Sequence, residues 1–451
     1  MNKVMDGMLG LAMGDALGVP VEFNKREHLK GSPVEGMRGY GTHSQPPGTW
    51  SDDTSLALCL MDSLTEGLDY HDIMKKSLEW YHKGAYTPYG EVFDIGNTTR
   101  KALDSFTKGT PPLDCGGISE RDNGNGSLMR ILPLVFYIEA NYGVEFKEQD
   151  DIFNIIHNVS SLTHAHKRSQ VACGIYISIA SNLLTSQNLE SAVSSGVYKA
   201  KQYYDKNADY AEEITPFKRM MDKNFADLPE DSIKSSGYVV ATLEAAVWCL
   251  LNTSSYKESV LKAVNLGEDT DTTGAVAGGL AGLYYGYEDI PGEWLDSLAQ
   301  RDYIERLCNS YYVSLSQIGV KKLYEYIPFF ETATSENVCR WEGGEKTGKD
   351  EYHISFPVYD STLSNFIRDF YSTNLIYYNY LNLIEQRELN NTSEMIEAIA
   401  TADLELLKAL LTGFVRQERF GDGLWEFAIE QKIYLKVLKR FNELFEGLMD
   451  S

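Results

Sequence analysis

Gly267-Glu268-Asp269-Thr270-Asp271-Thr272-Thr273-Gly274 runs directly into a stretch of very small residues, Ala275 to Gly282. Two aspartates two positions apart, with hydroxyls between and after them, put hard oxygen ligands where a helix begins. Helix N-termini favour anionic groups, because their first N–H groups are unpaired and the dipole is positive there. Carboxylates this close repel unless a cation sits between them, and oxygen-only ligation suits Mg²⁺, Ca²⁺ or Mn²⁺ rather than zinc. An N-cap with one extra acidic residue is the competing reading. A second stretch of the same kind lies more than 200 residues upstream, Thr49-Trp50-Ser51-Asp52-Asp53-Thr54, and it too opens an apolar helical run, Leu56 to Leu64. Two acidic helix starts so far apart have the form of a two-metal site assembled between helices.

Working outward, the helical reading spreads over the whole chain. Met5 to Gly18 carries Gly7, Gly10, Gly14 and Gly18, a spacing of small residues that brings helices into close contact. Asn24 to Gly48 is a long loop of the kind that covers a site. Helices follow at 50–64, 70–83 and Thr98–Phe106, and then, after the glycine-rich loop Pro111–Gly126, from Ser127 through Tyr137. Further helices are read at 150–162, 166–184, 189–204, 215–225, 239–251, 256–266 and 273–285. Gln170–Ala180 and Ala275–Tyr285 are apolar or small almost all round and belong at the centre. No sustained period-two run bounded by turns is present. The predicted class is all-α, a compact helical domain followed by a smaller helical one. The domain boundaries are 1–330, a polar linker at 331–353, and 354–451, with helices at 362–382, 393–400, 404–415 and 435–449.

Length, charge and cysteines bound the function. At 451 residues the chain holds a large core. A net charge of −24 argues against general nucleic-acid or anionic-membrane binding, which need clustered Lys and Arg. It does not exclude an anionic small molecule, because bound divalent ions reverse the local sign. Cys59, Cys115, Cys173, Cys249, Cys308 and Cys339 are scattered, form no CxxC pair, and read as reduced thiols of a cytoplasmic protein. The N-terminal apolar stretch is broken by Asp6 and Asp15, so it reads as neither signal peptide nor membrane span.

Four stretches occur in a recognisable order: Met13-Gly14-Asp15-Ala16-Leu17-Gly18 with Glu22, Thr49 to Thr54, Gly124-Asn125-Gly126-Ser127-Leu128-Met129-Arg130, and Glu268 to Thr272. Together they resemble the ADP-ribosylglycohydrolase family over roughly residues 3–330, as do Thr163-His164-Ala165-His166 and Gly237 to Glu244. The resemblance implies an all-helical domain binding two Mg²⁺ or Mn²⁺ ions. Its ligands would be Ser51, Asp52, Asp53, Asp269, Asp271 and Thr272, with Ser51 where many relatives have Thr. It implies hydrolysis at the anomeric carbon joining ADP-ribose to an acceptor. Ordinary glycosidases use two carboxylates across an oxocarbenium-like transition state; a two-metal site can instead activate water and orient the ribose diol.

The resemblance makes Glu22 a gate or base, against a surface carboxylate after Pro20. Asn125, Gly126 and Ser127 sit in a loop whose backbone can approach a diphosphate, against a plain turn. Arg130 is either a phosphate contact or half of an ion pair. By resemblance His164 contacts ribose, and His166 is structural. Tyr238 stacks on adenine or belongs to the core. Asp94, with Asn97, resembles the stretch that faces a guanidinium in the glycohydrolase acting on ADP-ribosyl-arginine, which favours an arginine acceptor; otherwise Asp94 caps the helix near Thr98. In the C-terminal region Arg416, Arg419 and Asp422 beside Phe420 and Trp425 form either a protein-interaction face or a buried salt-bridge cluster. The leading reading is a metal-dependent hydrolase of an ADP-ribosylated protein. Its alternatives are a non-catalytic immunity or sensing protein binding ADP-ribose, a hydrolase of serine, nucleobase or small-molecule adducts, and a dinuclear-metal phosphoester hydrolase.

Overall fold

A computed structural model describes residues 2–143, 149–344 and 353–449. Among the described residues the regular secondary structure is helical, apart from one pair of four-residue antiparallel strands. The described residues divide into two compact units, one of 2–138 with 149–314, the other of 139–143 with 315–344 and 353–449.

Along the chain as far as Leu323 run, in order, α1 (Lys3–Gly18), α2 (Arg26–Gly31), α3 (Asp52–Thr65), α4 (Tyr70–Lys83), α5 (Asn97–Thr107), α6 (Pro133–Tyr142), α7 (Gln149–Ser161), α8 (Lys167–Leu183), α9 (Leu189–Lys206), α10 (Val239–Leu251), α11 (Tyr256–Val264), α12 (Thr270–Tyr285), α13 (Gly292–Ser297) and α14 (Arg301–Leu323). The outer helices have one apolar stripe. α4 starts on the Asp69 side chain, which accepts from His71 and Asp72 N–H, buries Ile73, Met74, Ser77 and Trp80, and ends at Gly84 with φ 66°. The inner helices have no polar face: α12 is buried from Thr270 to Leu283, and α8 is buried along most of its length. The helical stretch Lys3–Val21, α1 and the turn after it, has the length and apolarity of a membrane span, but 94% of its apolar window is buried inside the protein.

α1 packs on α12 backbone to backbone. A Cβ on Gly10 would lie 2.4 Å from the Gly278 carbonyl oxygen, and one on Gly18 would lie 2.3 Å from Asp271 Cα. No side chain fits between the two helices there, so the small-residue spacing has a physical reason in both.

Three predicted helices are corrected. The helix placed at Ser127 begins at Pro133, and residues 126–130 and 132 form turns. Proline supplies the first helical position without needing an N–H partner. Thr215–Phe225 is 3₁₀-helix over Thr215–Met221, with Pro216 in its first turn. The helix predicted at 362–382 is two, α17 (Ser361–Tyr371) and α18 (Tyr380–Gln386), because Thr373 turns its hydroxyl back onto the Phe370 carbonyl.

The smaller unit also holds α15 (Ile327–Thr332), α16 (Ser335–Val338), strands β1 (Cys339–Glu342) and β2 (Phe356–Tyr359), α19 (Thr392–Ala398), α20 (Leu404–Arg416), α21 (Leu424–Glu430) and α22 (Ile433–Met449). The stretch read as a linker thus carries α16 and β1, while its residues 345–352 lie outside the described residues. An aromatic cluster of Phe330, Phe366 and Tyr434, with centroids 4.8–5.4 Å apart, forms part of its core. Here the expected salt-bridge cluster is replaced by a different arrangement. Arg416 lies over the Tyr380 ring and Arg419 over Tyr371, while Glu418 accepts from Gly423 N, Trp425 N and Tyr359 Oη at 2.5–2.8 Å. Glu418 thereby holds the start of α21, and Phe420 is 79% exposed.

Candidate active site

The N-termini of α3 and α12 converge. Ser51 caps α3, its hydroxyl donating to Asp53 Oδ2 at 2.9 Å, and Thr272 Oγ1 reaches the same oxygen from α12 at 3.3 Å. Asp15 on α1 closes the third side. One carboxylate oxygen from each of Asp15, Asp53 and Asp271 lies within 4.8 Å of the others, and all three residues are buried. Asp15 accepts from Ser51 N (3.0 Å, either oxygen), Thr54 N (3.0 Å) and Thr54 Oγ1 (2.6 Å). It therefore serves α3 as a cap supplied by another helix.

The rim comes from three segments, those before α3, before α5 and before α12. Glu22, Asp269 and Asp271 form a second group within 4.8 Å, and Glu22, His43 and Asp94 a third. Glu22 is hydrogen-bonded to His43, whose ring sits 5.3 Å from that of Phe93. Asp94 accepts from Ile95 N at 2.8 Å, and α5 starts at Asn97 without a side-chain cap, so Asp94 does not cap that helix. Asn97 is exposed in the first turn of α5. The loop before α12 is pinned to the Glu22 segment by Phe23 N to Glu268 O (2.6 Å) and Glu268 N to Asn24 O (2.7 Å). Both Phe23 (φ 65°) and Glu268 (φ 62°) are held in the left-handed region, strain of the kind found at functional sites.

The glycine loop forms the adjoining wall. Asn125 donates to Asp269 Oδ2 at 3.0 Å and to Thr242 Oγ1 at 2.9 Å, so it orients one of the acidic residues. Gly124 bridges to Tyr238, which is 38% exposed at the start of α10. A Cβ on Gly126 would lie 2.7 Å from the His164 ring. Ser127 turns its side chain into the interior, against Ser160 and Cys173. Arg130 pairs with no carboxylate within 4 Å among the described residues. It donates instead to Gly126 O (2.6 Å), Thr163 Oγ1 (2.7 Å) and Val159 O (3.2 Å).

The electrostatics suit a cation. Burial, then repulsion from neighbouring carboxylates, pushes Asp52, Asp53 and Asp271 well above the usual carboxylate range. Burial raises Asp15 to about 6 against its hydrogen bonds, and raises Glu22 to about 7 although His43 opposes it. Among the described residues no Lys or Arg lies within 4 Å of this group. Asp53 Oδ1 is buried without any hydrogen-bond partner, which a bound ion would supply. The donor atoms are all oxygen and fit a hard divalent ion.

Sequence reading singled out the acidic residues of α3 and α12 but not Asp15 or His43. A carboxylate in the otherwise apolar second half of α1 was the available signal for Asp15; His43, in a Gly- and Pro-rich loop, carried none.

An all-helical scaffold with a carboxylate-lined site between two helix starts defines the class, that of helical proteins with an acidic, all-oxygen site. The chain belongs to the ADP-ribosylglycohydrolase family, whose model matches residues 1–319. Residues 316–447 match a family of unknown function, DUF6508. The ADP-ribosylarginine hydrolase Tri1 of Serratia proteamaculans is 34% identical over 311 residues, 68% of this chain and 78% of the relative. The ADP-ribosyl-[dinitrogen reductase] glycohydrolase of Rhodospirillum rubrum is 30% identical over 302 residues, 66% of this chain and 90% of the relative. A chain of a solved ADP-ribosylglycohydrolase-related protein complex superposes with a TM-score of 0.56 at 32% identity, covering 70% of this chain and 98% of the other.

Proposed function

We propose that this protein releases ADP-ribose from arginine side chains of modified proteins, using two divalent ions, Mg²⁺ or Mn²⁺. The observation that carries the reading is the junction of Asp53 and Asp271, tied by Thr272 and walled by Asp15, with Glu22 and Asp94 at its mouth. Ser51, Asp52, Asp53, Asp269, Asp271 and Thr272 would hold the ions, which when bound supply Lewis acidity and an anchor for ribose hydroxyls. Asn125 fixes the Asp269 carboxylate in its working orientation. Glu22, beside the acidic cluster and held by His43, takes the proton of the attacking water. Asp94 offers a carboxylate to the planar guanidinium of the acceptor, the geometry for which arginine is suited. Support for arginine comes also from the relatives named for ADP-ribosylarginine hydrolysis.

A cytoplasmic location goes with this reading, since free thiols, five of the six buried, suit a reducing compartment. The helical unit after residue 330 would serve as a protein-interaction module, with exposed Phe420 on its surface. The test is mass-spectrometric product analysis of purified protein against arginine-, serine- and nucleobase-linked ADP-ribose, with and without EDTA. Release of ADP-ribose from the arginine conjugate alone, abolished by EDTA, is the expected result. Tight binding of ADP-ribose without release would identify a binding protein instead.

A further inference from the structure

Thr163 and His164 follow the end of α7, and both are buried, at 4% and 3% exposure. The Nε2 edge of the His164 ring faces the glycine loop: a Cβ on Gly124 would lie 3.6 Å from that nitrogen. Nε2 has no hydrogen-bond partner among the described residues. Nδ1 lies 2.8 Å from Thr163 Oγ1, and the same hydroxyl accepts from Arg130 Nη1 at 2.7 Å.

The proton count leaves one consistent arrangement. A guanidinium only donates, so the Thr163 oxygen must accept from Arg130. The hydroxyl proton then has a single acceptor in reach among the described residues, His164 Nδ1. Were Nδ1 protonated, two donors would face one oxygen, and the hydroxyl proton would be stranded in a buried position. A doubly protonated ring is opposed by burial and by the Arg130 charge, which push the imidazole down to about 3.

We infer that Arg130 and Thr163 are positioning residues that lock His164 as the neutral Nε2–H tautomer, so that it presents a donor to an oxygen of the ligand on the glycine loop. The ring is then neither a metal ligand through Nε2 nor a base. Arg130 also holds the Gly126 carbonyl, so one guanidinium sets both the loop and the ring that faces it. This inference rests on reading residues 124–127 as a ligand-binding loop.

The test is ¹⁵N NMR of the full chain labelled in histidine, followed by calorimetry with ADP-ribose. Wild-type His164 should show protonated Nε2 and bare Nδ1 across about pH 5 to 8. Thr163→Val should shift the ring toward Nδ1–H and weaken ADP-ribose binding by about tenfold, while Thr163→Ser restores both to within about twofold. A wild-type ring protonated on Nδ1 would overturn the relay without reference to any ligand or variant. So would an unchanged tautomer in Thr163→Val. A wild-type ring with the assigned tautomer that binds no ADP-ribose upholds the relay and removes the proposed function.

Discussion

A Cβ placed on Gly14 would lie 2.0 Å from the carbonyl oxygen of Gly274. The two backbones touch beside the site, because Asp15 follows Gly14 and Asp271 stands one helical turn before Gly274. Gly14→Ala must push α1 from α12, and should destabilise the protein by about 3 kcal/mol in denaturant melts. It should also weaken divalent-ion binding, by separating Asp15 and Asp53 from Asp271. Gly31→Ala is the control: nothing lies within 4 Å of its Cβ, and stability should be unchanged or rise by up to about 1 kcal/mol.

Metal-free protein should become less stable as pH rises. The folded state retains protons on Asp15, Asp52, Asp53 and Asp271 that the unfolded chain releases near pH 4. Folding therefore takes up protons above that point, and stability falls through the raised folded values, with Asp15 at about 6. In EDTA, Tm should drop between about pH 5 and 8, and Asp53→Asn should raise it at the alkaline end. Magnesium should reverse the trend, contributing about 2.7 kcal/mol at a hundred times its Kd. Thermal melts over pH, with and without the ion, check this.

How far these features were legible depends on whether their cause is local. Asp52-Asp53 and Asp269-x-Asp271 are visible because each pair opens a run of apolar or small residues, which leaves the carboxylates no solvent to face. The stacking of Gly10, Gly14 and Gly18 onto α12 was readable as close contact, but not as contact with that helix. Asp15 was hidden, since what it caps begins 37 residues later at Asp52. Four-residue strands such as β1 and β2 are too short to show alternation. Arg130 looked like a ligand contact or an ion pair; beside the local Gly126 carbonyl, only the tertiary fold brings Thr163 Oγ1 and the Val159 carbonyl to it.

Glu22 and Asp94 should fail in different ways. Glu22→Gln removes a proton acceptor and should lower kcat by about 10² to 10⁴ while the magnesium-induced thermal shift persists. Asp94→Asn removes charge from the acceptor side, and should raise KM for the ADP-ribosyl-arginine conjugate by about tenfold or more. Affinity for free ADP-ribose should stay within about twofold of wild type. If Asp94→Asn weakened free ADP-ribose binding as much as conjugate binding, the carboxylate would face the ribose and not the acceptor.

His157 should oppose the acidic group in pH dependence. Its Nε2 lies 2.9 Å from Tyr204 Oη and its Nδ1 2.9 Å from Tyr210 Oη, inside a hydrogen-bonded cluster that includes Gln170. Burial pushes its pKa down to about 3, so the folded ring stays neutral where the unfolded ring is charged. Stability from this group is present above the unfolded value of about 6.5 and is lost as pH falls toward 3. Magnesium-saturated protein, whose carboxylates are neutralised by the ion, should therefore lose stability below about pH 6.5. The slope is up to about 1.4 kcal/mol per pH unit for His157, with His164 adding a like amount. His157→Gln keeps one hydrogen bond to the tyrosines and removes the titration. Melts of that variant in magnesium should show the slope reduced by the share of one proton, and an unchanged slope would mean that His157 is charged in the folded state.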